Sequence, residues 1–448
     1  MAGRIRQEIN LDNLDKYIRD NVPEIKCPIE VKQFGYGQSN PTYQLTASDG
    51  KKYVMRKKPP GRILSKTAHQ VDREYHIIHA MSQTDVPVPK AFCLCEEPSV
   101  IGTSFYIMSF LDGRIFEDPA LPGVSPEHRY EMWKSIATTL GKYHRVKPAD
   151  VGMEGFGRPS GFYNRQLKTF ARLSVDQAET VDVESKVPVG MIPHYDEMVE
   201  FFGQAETQPR DRSTFVHGDY KVDNVVFHKT EPRVVGILDW EMATIGHPLS
   251  DLTNLIAPFT TSTNSKAVLA GRRNLAFLDD ATPGLPSKNQ VIAWYESTAG
   301  YTVERKELTW AEAFGIYRGA VIMQGIAARY AQRQASSEKA MDYGGAMRPQ
   351  AEMAWDFVRE VKGQFEREEA QGKGYMVEGV GEGGMSEVEK AQGTGYMVGT
   401  PEKNVEESDK EKAQGKGYMV ATPEKNEERA DEKEKEKAQG KGYMVPKL

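Results

Sequence analysis

The sequence predicts an α+β protein in two lobes, a small strand-rich one followed by a larger, mostly helical one, with a disordered tail. Three observations carry this. Between Gln33 and Tyr106, short apolar runs alternate with turn signals. From Pro126 onward, apolar residues recur at helical spacing. From about Arg367, Phe, Trp and Ile vanish and the only Leu is the last residue.

The elements follow in order. Runs at Pro41–Ala47 and Lys52–Lys57 flank Ser48-Asp49-Gly50, a hairpin with an Asp-Gly turn. Val71, Tyr75, Ile78 and Met81 predict a helix from Val71 to about Ser82, and Val86-Pro-Val-Pro89 ends it. Ser104–Phe110 is an apolar strand broken by Asp112-Gly113. Pro126–Arg145 places Tyr130, Trp133, Ile136, Leu140 and Tyr143 on one helix face, and Trp310–Gln332 and Met353–Phe365 are further amphipathic helices. Trp133, Trp310, Phe314 and Tyr317 are core residues first and pocket walls second. The expected domains are 1–108, 109–366 and a tail, 367–448.

Composition excludes several classes. The 448 residues carry 58 Lys and Arg against 64 Asp and Glu, a formal charge of −6. That balance gives no basic footprint for nucleic acid, and no apolar run reaches the roughly 18 residues of a membrane span. Cys27, Cys93 and Cys95 are too few for a disulfide framework, and no second Cys/His cluster completes a metal site. The N-terminus lacks the apolar core of a signal peptide, and Glu8, Asp12 and Asp15 argue against a mitochondrial presequence.

The tail holds −4 of the charge and repeats one octapeptide, AQGxGYMV, at Ala370, Ala391, Ala413 and Ala438. The periods of 21, 22 and 25 residues are unequal and the spacers lack an apolar stripe, which argues against a solenoid. The four Tyr-Met-Val tips read either as linear stickers for an unknown partner or as repeat expansion without function. The chain ends in Pro446-Lys447-Leu448, which resembles a peroxisomal address read by an import receptor; otherwise a cytoplasmic location is expected.

The chemistry is concentrated at 215–255. In Phe215-Val-His-Gly-Asp-Tyr-Lys-Val-Asp-Asn-Val-Val-Phe227, Asp219 precedes Asn224 by five residues and an apolar strand follows. Val234-Val-Gly-Ile-Leu-Asp-Trp-Glu241 is a second strand ending in two carboxylates. A turn between the strands puts Asp219, Asn224 and Asp239 at one end of a hairpin. Phosphoryl transfer needs such groups: one Asp to accept a hydroxyl proton, an Asn and a second Asp to hold Mg²⁺ on nucleotide phosphates.

His217-Gly-Asp-x-x-x-x-Asn224 with Ile237-Leu-Asp-Trp-Glu241 resembles the aminoglycoside phosphotransferase/choline kinase family, a small-molecule branch of the protein-kinase-like fold. Over roughly residues 30 to 360, with Arg62-Ile-Leu and Val100-Ile-Gly-Thr-Ser-Phe-Tyr106, the wording is most similar to kinase-like domains fused to some acyl-CoA dehydrogenases. Without room for a dehydrogenase half, this chain reads as a stand-alone version. The resemblance implies a bilobal protein-kinase-like fold, nucleotide binding in the first lobe, catalysis and acceptor binding in the second, and ATP and Mg²⁺ as cofactors. It implies Asp219 as catalytic base, Asn224 and Asp239 as Mg²⁺ ligands, Glu241 assisting through water, and Lys221 neutralising the transferred phosphoryl group. His217 and Asp251 become structural, tying the catalytic loop to the next helix, with helix capping the plainer reading of Asp251. Phe34–Leu45 becomes the nucleotide-covering hairpin, Glu74 the ion-pairing residue of the first-lobe helix, and Met108, Ser109 and Phe110 the hinge beside adenine.

Two departures matter. The nucleotide loop reads Gly35-x-Gly37-Gln-Ser-Asn40, so phosphate contacts fall to Gln38, Ser39 and backbone N–H groups around Gly37. Arg56 stands where many relatives have Lys; its fork can meet both Glu74 and phosphate. The neighbouring Lys57 and Lys58 are expected to be solvated, the usual fate of a Lys pair. Gly61–Thr67 lacks the second glycine of a Walker A loop and is rejected. For the acceptor site, the sequence offers Tyr163, Arg165, Gln166, Tyr317, Gln324 and Arg329. Arg165 and Arg329 either face an anionic acceptor, such as a hydroxyacyl-CoA or hydroxy acid, or pair with nearby carboxylates. The leading expectation is an ATP- and Mg²⁺-dependent phosphotransferase acting on a small-molecule hydroxyl. The alternatives are a nucleotide-binding pseudokinase and a scaffold acting through its tail repeats.

Overall fold

A computed structural model of the chain describes residues 2–3, 9–34, 40–59, 70–271, 273–334 and 340–374, and the side chains of these except 2–3, 340–343 and 368–374. The chain divides into two compact units. The larger, to Glu369, holds everything discussed below. Of the smaller, Ala370–Tyr443, only helical backbone to Gly374 is described.

The first lobe is built on an antiparallel sheet. Its strands are β1 (Ala2–Gly3), β2 (Glu30–Phe34), β3 (Thr42–Thr46), β4 (Lys52–Lys57), β5 (Ala91–Cys95) and β6 (Phe105–Ser109). They lie in the order β1-β2-β3-β4-β6-β5. The expected hairpin is β3–β4, with Gly50 at φ 82. Strand side chains alternate between faces. Tyr53 and Met55 of β4 therefore face a cluster with Leu14 and Ile18 of helix α1 (Leu11–Asn21). Val54, Tyr106 and Met108 join the second core, which contains Ile77, Ile78 and Met81 of α2 (Val71–Met81). Arg56 lies on this second face, toward the rest of the molecule. A short helix, α3 (Pro98–Ile101), links β5 to β6.

The second lobe is mostly helical. Its helices are α4 (Pro126–Arg145), α5 (Phe162–Ala178), α6 (Tyr195–Gly203), α7 (Leu249–Ser262), α8 (Lys266–Leu269), α9 (Lys288–Ala299), α10 (Arg305–Ala331) and α11 (Ala340–Gly374). Two small antiparallel pairs are set among them: β7 (Thr214–Val216) with β10 (Thr244–Gly246), and β8 (Val225–Phe227) with β9 (Val234–Ile237). α4 begins and ends where its sequence pattern does, with Ser125 capping His128 N. α10 starts at Arg305, before the expected Trp310, and is buried nearly all round rather than along the single amphipathic stripe expected of it.

α11 is longer than the expected Met353–Phe365. Ala346, Met347 and Ala351 are buried and extend its packed face before Met353, through Pro349. At its other end the helix runs to Gly374, so the start of the first octapeptide is helical backbone rather than disordered tail. The remaining repeats and Pro446-Lys447-Leu448 lie outside the described residues. With that exception, the two-lobed α+β architecture expected from the sequence is the architecture found.

Candidate active site

The β8–β9 hairpin does what the spacing requires. Its strands pair Val225 with Ile237, which brings the residues before β8 beside those after β9. Leu238 N donates to Asn224 O at 2.8 Å. Asn224 Nδ2 donates to Asp219 O at 2.8 Å and to Asp219 Oδ2 at 2.9 Å. Asp239 follows β9 in a left-handed conformation, φ 69, that few residues other than Gly, Asn and Asp adopt. It begins a 3₁₀ turn, Trp240–Met242, that carries Glu241.

Arg56 joins the two lobes at this point. Its guanidinium lies 2.7 Å from Glu74 Oε2, 3.8 Å from Asp239 Oδ1 and 3.8 Å from Glu241 Oε2. Burial disfavours its charge, but Glu74, Tyr106 and Glu241 outweigh that and hold its pKa above the ordinary value. Glu74 is itself fixed by two groups the sequence reading missed: Asn40 Nδ2 donates to it at 2.7 Å and Tyr106 Oη at 2.9 Å. Both lie on strand or loop positions chosen by tertiary packing, so no local signal marks them. Lys221 Nζ is 3.5 Å from Asp219 and 3.3 Å from Asp223.

The loop before Asp219 is clamped from behind. Asp251, fully buried on α7, accepts from His217 N at 2.6 Å and from Gly218 N at 2.8 Å. It therefore binds the loop that carries Asp219, not the N-terminus of its own helix. Burial pushes its carboxyl up, but the His144 bond and charge, with His217, bring it below the ordinary value. His217 takes the proton on Nε2, which donates to Leu238 O at 2.9 Å, while Nδ1 accepts from Asp219 N at 3.3 Å. One imidazole thus spans the loops carrying Asp219 and Asp239, and Trp240 packs against it at 4.9 Å. His144, another residue the sequence reading missed, contacts Asp251 at 3.2 Å and Tyr295 Oη at 2.7 Å.

Asp219, Lys221, Asp239 and Glu241 open on a cleft of about 1080 Å³ between the catalytic loop, α7 and α10. The acceptor candidates do not line it. Tyr163 is packed between Trp310, Phe314 and His247. Gln166 and Tyr163 line a small hollow that shares Arg318, Thr253 and Gly315 with the cleft wall. Tyr317 is buried against Phe202. Gln324 is buried between Ser174 and the Gly190 carbonyl. Arg165 donates to the carbonyls of Ser160 and Arg158, and Arg329 is half-buried and not part of the cleft lining. Helical spacing alone does not say which face of α5 and α10 meets the cleft. The residues that do line it include Asn254, Arg273, Glu312, Ile316, Arg318 and Ile322. On the nucleotide side, Met108 lies in β6 paired with Val54, and Phe110 lies under Lys52 Nζ at 5.6 Å. Gly37, Gln38 and Ser39 lie outside the described residues.

The set suits a hard cation. Asn224 directs its amide nitrogen at Asp219, so its oxygen, the end that ligates Mg²⁺, is on the opposite side of the group. No cluster of three His, Cys, Asp or Glu suited to a metal exists among the described residues. A Mg²⁺ shared with phosphates needs fewer protein ligands.

Fold and site together define a small-molecule phosphotransferase of bilobal, kinase-like architecture. The chain belongs to the phosphotransferase enzyme family, whose model matches residues 30–285. It is 34% identical over 79% of its length to a Ralstonia eutropha JMP134 protein solved as a candidate aminoglycoside phosphotransferase, covering 99% of that chain with a TM-score of 0.68. Among curated proteins it is 34% identical to probable acyl-CoA dehydrogenase IBR3 of Arabidopsis thaliana, over 78% of this chain and 42% of that one. It is 33% identical to acyl-CoA dehydrogenase family member 11 of Gallus gallus, over 80% of this chain and 45% of that one. The chain thus spans less than half the length of these two relatives.

Proposed function

We propose that the protein transfers the γ-phosphoryl group of Mg²⁺-bound ATP to a hydroxyl of a small molecule, a hydroxy acid or hydroxyacyl-CoA. The observation that carries this is the convergence of Asp219, Asn224 and Asp239 with the Arg56–Glu74 pair at one cleft. In this reading Asp219 accepts the proton of the attacking hydroxyl as its oxygen bonds to the γ-phosphorus and the bond to ADP breaks. Asn224 and Asp239 would hold Mg²⁺, which would offset phosphate charge. Arg56 meets phosphate while Glu74 fixes its fork, and Lys221, half-buried beside Asp219, balances charge on the transferred group. The relatives' names suggest acyl substrates, and Pro446-Lys447-Leu448 suggests a peroxisomal setting in which they occur.

The test is ADP formation from Mg²⁺-ATP by the full chain with pooled hydroxy acids and hydroxyacyl-CoAs. One acceptor class should support turnover, and Asp219→Asn should lower it by about 10²- to 10⁴-fold, the range for a lost general base. ATP that raises the melting temperature without any turnover would replace this reading with the pseudokinase.

A further inference from the structure

Five of the seven carboxylates that line the cleft are met by cations. Arg56 lies by Asp239 and Glu241, Lys221 by Asp219 and Asp223, and Lys288 by Glu312. Arg318 of α10 differs. It lines the cleft beside Asp219, yet its one protein bond among the described residues runs from Nη2 to Asn254 Oδ1 at 2.7 Å. Asn254 Nδ2 in turn donates to Gly218 O at 3.3 Å. The side chain is half-buried in the cleft wall; burial lowers its pKa, and Asp219, Asp251 and Tyr163 partly offset that. The nearest acidic groups are already engaged, Asp251 by His144, His217 and Gly218, and Asp219 by Asn224 and Lys221. A guanidinium presents five N–H donors in a fork that fits a carboxylate or phosphate edge. The Asn254 bond fixes the orientation of that fork before a ligand arrives.

The wall beyond Arg318 is apolar, with Leu255 and Pro258 on α7 facing Ile316 and Ile322 on α10. A second cleft arginine, Arg273, donates Nε to Ser262 O at 2.9 Å. Ser262 is eight residues beyond Asn254 on α7, about 12 Å along a helix. The cleft therefore offers a cation at the catalytic end, an apolar stretch and a cation at the outer end.

We propose that Arg318 binds an anionic group of the acceptor, a carboxylate or phosphate ester, and so sets the acceptor's hydroxyl at Asp219. This rests on the phosphotransferase reading and assigns its acceptor specificity to one residue. The competing role, in which Arg318 only orients Asn254 behind the loop, would lower turnover of charged and neutral acceptors alike.

The experiment uses the full chain with Mg²⁺-ATP and matched acceptors: short- and medium-chain hydroxy acids as free acids, the same acids as methyl esters, and hydroxyalkyl phosphate monoesters. The wild type should prefer the acids or the phosphates to the esters, and which of the two it prefers identifies the anion. In Arg318→Gln that preference should collapse by about 10- to 100-fold in kcat/KM, the worth of a charged hydrogen bond. Arg318→Lys should keep part of it. Equal use of acids, phosphates and esters by the wild type would overturn the proposal, and so would a loss in Arg318→Gln shared by all acceptors. Should Arg318→Gln fail to fold, Arg318→Lys and the wild-type comparison still decide. If neither these acceptors nor the hydroxyacyl-CoAs are phosphorylated, the phosphotransferase reading fails first. Melting temperatures then test Arg318 separately: a rise with the acids or phosphates in the wild type that Arg318→Gln lacks supports the anion site, and no rise overturns it.

Discussion

Glu74 concentrates much of the site's electrostatics in one side chain. It is 1% exposed and accepts from Arg56, Asn40 and Tyr106. Glu74→Ala leaves three buried donors, one of them charged, without an acceptor. The expected cost is about 3–5 kcal/mol, that of breaking a buried pair from one side, read as a fall in the denaturation midpoint. Tyr106→Phe removes a single bond and should cost only about 1 kcal/mol. Arg56→Lys keeps the charge but loses the fork that spans Glu74, Asp239 and Glu241. ATP binding by calorimetry should then weaken by about tenfold, a single charge-assisted hydrogen bond. His247 supplies a pH prediction. It is 1% exposed, and desolvation lowers its pKa to about 4. The unfolded chain takes up a proton below about 6.5 that the folded chain refuses, so this contribution to stability is complete above that pH and is lost as pH falls toward 4. Between pH 7 and pH 5 it amounts to about 2 kcal/mol, at about 1.4 kcal/mol per unit. Urea unfolding at the two pH values should show that difference, and His247→Gln should reduce it; an unchanged slope would count against the assignment.

Among the elements, the loop between β7 and β8 matters most to the chemistry. Its Gly218 is held at φ 85 by Asp251 on its N–H and Asn254 on its carbonyl, and a Cβ there would lie 2.8 Å from Met242 Cβ. Gly218→Ala should cost about 1–3 kcal/mol of stability as local strain. Its effect on turnover should be larger, about 100-fold, because a shift near 1 Å at Asp219 misplaces the reacting geometry. A parallel loss of melting temperature without that extra loss of kcat would show that the loop tolerates the shift. The same loop marks the boundary of what the sequence discloses. Asp219, Asn224 and Asp239 were legible because a strand, a turn and a strand fix their relation within about twenty residues. The β3–β4 hairpin and α4 were legible for the same reason, each carrying its own turn or cap. Asn40, His144, Asn254 and Arg318 were not, because each gains its place from an element far away in the chain. That the acceptor candidates on α5 and α10 do not line this cleft follows from the same cause: when nearly every face of α10 is buried, periodicity cannot say which one meets the cleft.

At the scale of the molecule, the question is where the folded body ends. On α11, Met353, Ala354, Val358 and Val361 are fully buried in the core shared by the second-lobe helices. Burying an aliphatic side chain of this size is worth about 1.5–3 kcal/mol for each of the three larger ones. Together they approach the 5–15 kcal/mol that holds a typical domain together. A chain ending at Gly344 loses all four, together with Ala346, Met347 and Ala351, and should not fold cooperatively. Beyond Gly374 the composition changes character: 74 residues hold no Phe, Trp or Ile, and charge dominates between the Tyr-Met-Val tips. The composition alone gives these residues little apolar surface with which to add to the core. A chain ending at Gly374 should therefore keep the melting temperature of the full protein to within a few degrees and keep its kcat/KM on the acceptor. Thermal unfolding and ADP release on the two truncations measure both. A Gly374 chain that melts well below the full protein would mean that the repeats stabilise the body, and one that keeps its melting temperature but loses turnover would move the tail into the catalytic argument.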